Sequence, residues 1–121
     1  MYGKELILDM HDCDPDSFNR IQIKEFFDVL CKRIGMEPCD FHWWDDLETP
    51  EDEKETEPHL VGTSAIQFIK TSNIVIHTLD LMKRVYLNIF SCKDFDAEVI
   101  KNTALEYFGG EIVHDHLIER V

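Results

Sequence analysis

Three stretches between Leu60 and Cys92, LVGTSAIQFIK, NIVIHTL and RVYLNIFSC, are rich in β-branched and aromatic residues and are divided only by short polar breaks. That pattern predicts three adjacent β-strands with no helix between them. Ahead of the block, KELILDM reads as a strand that ends at the turn-forming cluster HDCDPDS. Ile23, Phe26, Phe27, Leu30 and Ile34 then recur at helical spacing up to Gly35, and MEPCDFHWW supplies a further strand. Behind the block, DFDAEVIKNTALEYFGG offers Asp94 or Asp96 as an N-cap, a stripe of Ala97, Ile100, Ala104 and Phe108, and a Gly-Gly stop. EIVHDHLIER closes the chain as a strand. The order β-α-β-β-β-α-β predicts an α+β fold, a two-layer sandwich in which a mainly antiparallel sheet carries two helices on one face.

Residues 1–121 are long enough for a single domain that buries most of its apolar surface. The stretch DDLETPEDEKETEP, residues 45–58, holds eight acids, one lysine and two prolines and reads as an exposed acidic loop. The formal net charge of −13 disfavours nucleic acid and anionic membranes as partners and favours cationic small molecules. No apolar run approaches the ~20 residues of a membrane span. The start of the chain has no secretory-signal pattern, so the expected address is cytoplasmic, with Cys13, Cys31, Cys39 and Cys92 as free thiols.

The stretch KTSNIVIHT places a histidine inside a strongly apolar strand. A hairpin with a two-residue loop at Thr71 and Ser72 sets Lys70 opposite Asn73 and Ser64 opposite Leu79. Ser64 and His77 then share a face as diagonal neighbours. A three-residue loop would send them to opposite faces, and the pattern does not fix the register. Taken alone, His77 is a half-buried strand residue and Thr71-Ser72-Asn73 an ordinary turn.

Four stretches taken together go further: LILDMHDCD, GTSA at Gly62 to Ala65, TSNIVIHT at Thr71 to Thr78, and NIFSC at Asn88 to Cys92. With these the chain resembles the bacterial and archaeal S-adenosylmethionine decarboxylase family, pyruvoyl enzymes of polyamine (spermidine) synthesis, with no gap from Gly62 to Cys92. The resemblance implies a zymogen that cuts itself between Thr71 and Ser72. Ser72 attacks the preceding carbonyl and becomes the pyruvoyl cofactor, with no metal required. That group forms a Schiff base with a small-molecule amine substrate and takes up the electrons released as carbon dioxide leaves. Ser64 and His77 match the family's processing residues, and Cys92 matches the acid that reprotonates the product carbon. Ser72, Ser64 and His77 are expected together at the hairpin end. A homodimer is implied as well, since a sheet covered on one face needs a partner.

The chain departs from the family pattern at several positions. Thr71 and Asn73 stand where the family has glutamate and histidine, and Leu79-Asp80-Leu81 replaces a Trp-Pro-Glu whose glutamate binds ribose hydroxyls. Glu5 lies where the family carries histidine. With the acidic stretch treated as an insertion, Trp44 aligns with the aromatic that stacks on adenine. Glu5, Trp44 and Asp80 are therefore the substrate-binding candidates. Two alternatives remain: the same chemistry on a basic amino acid such as ornithine or arginine, or an unprocessed, non-enzymatic relative that binds or regulates a partner. Cys39-x-x-His42 and His114-x-His116 have spacings that zinc uses, but they lie on separate strands, and no metal site is assigned.

Overall fold

Eight main elements form in the computed structural model, which describes residues 1–121: β1 (Gly3–His11), α1 (Arg20–Arg33), β2 (Pro38–Trp44), β3 (Gly62–Ile69), β4 (Ser72–Leu79), β5 (Arg84–Ser91), α2 (Ala97–Phe108) and β6 (Glu111–Arg120). The strands make one sheet in the order β2-β3-β4-β5-β1-β6, and every neighbouring pair is antiparallel.

Period-two alternation explains which side of the sheet is covered. Leu6, Leu8 and Met10 of β1, Ile74 and Ile76 of β4, and Val85, Leu87 and Ile89 of β5 are buried against Ile23, Phe26, Phe27 and Leu30 of α1 and Ile100, Ala104 and Phe108 of α2. Phe26 and Phe108 meet edge-on at 4.9 Å and lock the helices together. The other face, with Trp44, Ser64, His77, Tyr86 and Phe90, has no helix over it and keeps its side chains half-buried or exposed.

Local chemistry sets the helix ends. Asn19 caps α1 by accepting from the Gln22 amide at 2.9 Å, and Ile34 is the C-cap and still packs against the core, while Cys31 adds a buried position to the stripe. Of the two acids offered at α2, Asp96 is the cap, while Asp94 pairs with Lys4. The acidic loop is mostly exposed, as its composition predicts, but both of its ends are tied. Arg20 binds Asp45 in a two-pronged ion pair at 2.7 and 2.8 Å, and Asp46 accepts from the Glu55 amide at 2.9 Å.

The β3–β4 hairpin corrects the expected register. Ile69 pairs with Ser72, so the two-residue turn is Lys70–Thr71, not Thr71–Ser72, and Ser64 lies directly opposite His77 rather than diagonal to it. The two registers differ by an even number of residues, so the shared face survives the shift.

Candidate active site

At the turn of the hairpin, Thr71 has a φ of 63°. The left-handed region is costly for a β-branched residue, whose side chain crowds the following backbone. Its hydroxyl donates to the Lys70 carbonyl at 2.6 Å and lies 2.8 Å from the Cys92 thiol. Ser72 begins β4 on the helix-covered side, where its Oγ donates to the buried Ser91 Oγ at 3.2 Å. Ser91 also accepts the Lys93 amide at 3.0 Å. Gly3 makes room for this arrangement, because a Cβ there would stand 2.0 Å from the Ser91 carbonyl oxygen. A cavity of about 430 Å³ opens beside the turn, lined among others by Met36, Glu37, Lys70, Thr71, Cys92 and Lys93.

At the far end of the same hairpin, on the uncovered face, Ser64 Oγ and His77 Nδ1 are 2.7 Å apart. Trp44 stands opposite Ser64 on β2, and Tyr86 stands opposite His77 on β5. These four, with His59 and Leu79, line a cavity of about 360 Å³. Gly62 lets β3 close on β4 here, since a Cβ would sit 1.7 Å from the Thr78 carbonyl oxygen.

Ser64 and His77 therefore do not lie beside Ser72, which corrects the sequence-based expectation for the four candidate residues. They form two pairs, Ser72 with Cys92 and Ser64 with His77. Five residue steps of strand, about 17 Å, separate Ser72 from His77, and the odd spacing puts their side chains on opposite faces.

The substrate-binding candidates divide in the same way. Trp44 belongs to the cavity of the Ser64–His77 pair, and the residue is 55% exposed. Glu5 lies in the cross-strand row of Phe90 and Asn73, near the turn, and is paired with Arg120 at 3.2 Å. Asp80 lines a separate cavity of about 250 Å³ with Arg20, Asp45 and Lys54. Its Oδ1 is buried with no hydrogen-bond partner, and burial pushes its carboxyl above the usual range. Leu79 occupies the cavity wall beside His77.

None of the four cysteines is disulfide-bonded. Burial, the larger cause, together with neighbouring acids, pushes the thiols of Cys13 and Cys31 up to about 11, which leaves them inert, whereas Cys92 is half-buried beside the turn. His114 and His116 place their Nε2 atoms 3.0 Å apart, but no group of three metal-ligating side chains converges. Sequence reasoning did not single out Ser91 or Tyr86. Strand alternation was the available signal, since Ser91 shares the covered face with Val85, Leu87 and Ile89, and Tyr86 the open one.

A family model described as S-adenosylmethionine decarboxylase matches residues 4–121. Among solved structures, the crystal structure of the adenosylmethionine decarboxylase from Aquifex aeolicus VF5 superposes with a TM-score of 0.76. The match covers 98% of this chain and 90% of that one at 17% identity, which is a likeness of fold. Curated proteins give no match.

Proposed function

This chain belongs to the S-adenosylmethionine decarboxylase family, and we propose that it is a proenzyme that cleaves itself between Thr71 and Ser72 to give a pyruvoyl-dependent decarboxylase of S-adenosylmethionine. The observation that carries this reading is the turn itself. Thr71 sits in the left-handed region at the peptide to be cut, and neighbouring residues of the β5 end, Ser91 and Cys92, contact the two side chains that flank it.

The residues present fit the group. Ser72 provides the carbons from which a pyruvoyl is made, and backbone strain of about 1–3 kcal/mol at Thr71 favours opening the turn. When formed, the pyruvoyl ketone supplies an electron sink for the pair left behind by carbon dioxide. The chain's own residues do the rest. The Cys92 thiol, beside the turn, holds a proton for delivery to the product carbon. The Ser64–His77 pair holds and moves a proton during processing: with the imidazole hydrogen on Nε2, Nδ1 accepts from Ser64, and the opposite tautomer reverses the bond. Trp44 and Tyr86 give the neighbouring cavity aromatic walls for a nucleoside. Leu79 offers no acceptor to a ribose hydroxyl.

Because the two pairs are about 17 Å apart in one chain, the complete site is built from two copies. Two sheets stacked by their uncovered faces about a two-fold axis exchange ends, which lays the turn of one copy over the Ser64–His77 end of the other. Exposed Trp44, Phe68 and Ile118 supply apolar contact on that face.

Mixing two inactive variants tests the shared site. Neither Ser72→Ala nor His77→Ala chains should cleave appreciably alone. In the mixture the His77→Ala chain should be cut, because its own serine meets the partner's histidine. A wild-type chain that cleaves while the mixture does not would overturn the two-copy site. Carbon dioxide release from S-adenosylmethionine, ornithine and arginine tests the substrate; release from a basic amino acid alone would overturn the assignment, and with it the place in spermidine synthesis.

A further inference from the structure

The nucleophile of the proposed cleavage does not point at any base in its own chain. Ser72 is buried, and its hydroxyl meets the hydroxyl of Ser91, directly across the β4–β5 ladder. Ser91 is itself fully buried and fixed by the Lys93 amide, at the point where β5 ends. Ser91 belongs to no pair described above. A strand residue with no role in the site would be expected to bury an apolar side chain here, as Val85, Leu87 and Ile89 do on the same face.

We propose that Ser91 is a positioning residue for self-cleavage, an inference that rests on the processing reading given above. In the first step a bond forms between Ser72 Oγ and the carbonyl carbon of Thr71, and the peptide bond from that carbon to the Ser72 nitrogen breaks. The hydroxyl proton ends on that nitrogen, leaving an ester and a free amine. Attack needs the Oγ lone pairs, not its hydrogen, turned to the carbonyl. A serine hydroxyl has three staggered wells and a freely turning hydrogen. By accepting that hydrogen on the helix-covered side, Ser91 selects one well and leaves both lone pairs of Ser72 free. A hydroxyl is no base at neutral pH, so Ser91 orients the proton and does not remove it. The proton so held passes to the Ser72 nitrogen as the peptide bond breaks. The Lys93 amide keeps Ser91 itself from turning, and the Cys92–Thr71 contact holds the other side of the peptide. The two residues at the end of β5 thus grip the scissile bond from opposite faces of the sheet.

The test follows the rate of fragment formation on denaturing gels for wild type, Ser91→Ala, Ser91→Thr and Thr103→Ala. Thermal melting runs alongside to show that each variant is folded. Thr103→Ala removes a buried hydroxyl of α2 that donates to the Val99 carbonyl, accepts from Arg33 and makes no contact with Thr71, Ser72 or Ser91, and so controls for general loosening of the fold. Ser91→Ala is expected to slow cleavage about tenfold, the effect of losing one buried hydrogen bond. Ser91→Thr, which keeps the hydroxyl, should restore most of the rate, and Thr103→Ala should cleave like wild type. Equal rates for Ser91→Ala and wild type, or equal slowing by Thr103→Ala, would overturn the role of Ser91 while leaving self-cleavage intact. A wild-type chain that never cleaves would overturn the processing reading and this inference with it.

Discussion

The two ends of the β3–β4 hairpin carry similar side chains in opposite settings. At the turn, two serines hydrogen-bond in the buried layer beside a left-handed threonine. At the other end, a serine and a histidine touch on the open face in front of an aromatic-walled cavity. The turn end is tightly bonded and conformationally costly, which suits the cleavage proposed there. The open end is solvent-reachable and built on regular strand, which suits the proton transfer proposed for its pair. The difference teaches that a serine's surroundings are set by which face and which end of a strand it occupies, not by its nearness to a histidine in sequence.

Swapping out the two serine settings should give the largest contrast. Ser72→Ala removes the attacking oxygen and should abolish cleavage outright. His77→Ala leaves it in place and should slow cleavage by about 10²–10⁴, the usual worth of a general acid–base group. Time courses of fragment appearance separate a zero rate from a slow one. Equal residual rates in the two variants would erase the distinction between the ends.

The next effect concerns how each end is built. Gly62→Ala puts a Cβ against the Thr78 carbonyl, and strand β3 must shift beside the Ser64–His77 pair. Urea denaturation should show a loss of about 1–3 kcal/mol, the range for overpacking. At the turn the sign reverses. Thr71→Gly relieves the left-handed crowding and should gain about 1 kcal/mol in the uncleaved chain, after the added flexibility of glycine is subtracted. An uncleaved background such as Ser72→Ala allows that measurement at equilibrium. A loss at Thr71→Gly would mean that the turn stores no strain.

The smallest effect sits just past the open end. Burial holds the Asp80 carboxyl above its ordinary value, so the folded chain binds its proton more tightly than the unfolded chain does. Stability therefore falls as pH rises from the unfolded value, about 3.9, through the raised folded one. Asp80→Asn should be more stable than wild type at pH 7, with the gap shrinking below pH 4. Denaturation midpoints at the two pH values check both sign and window.

Much of this architecture was legible in the residues. The three central strands, both helical stripes and the covered face follow from periodicities of two and 3.6 that burial enforces strongly. The shared face of Ser64 and His77 was legible for the same reason. The turn was misplaced by one residue because Ser72 is a turn former and Lys70 is not, whereas Ser72 opens β4 and Lys70 enters the turn. The spread of the four candidates over two ends was readable in principle, because five steps from Ser72 to His77 already means opposite faces. Motif spacing along the chain concealed it. Long-range ties such as Arg20 to Asp45, which anchors the acidic loop, leave no local signal at either residue.

Intact-mass analysis of purified wild-type protein after prolonged incubation tests self-cleavage most directly. The expected result is two species, residues 1–71 ending in a free carboxyl and residues 72–121 beginning with a blocked, pyruvoyl-bearing terminus. A single mass equal to the uncut chain, unchanged with time, would contradict it.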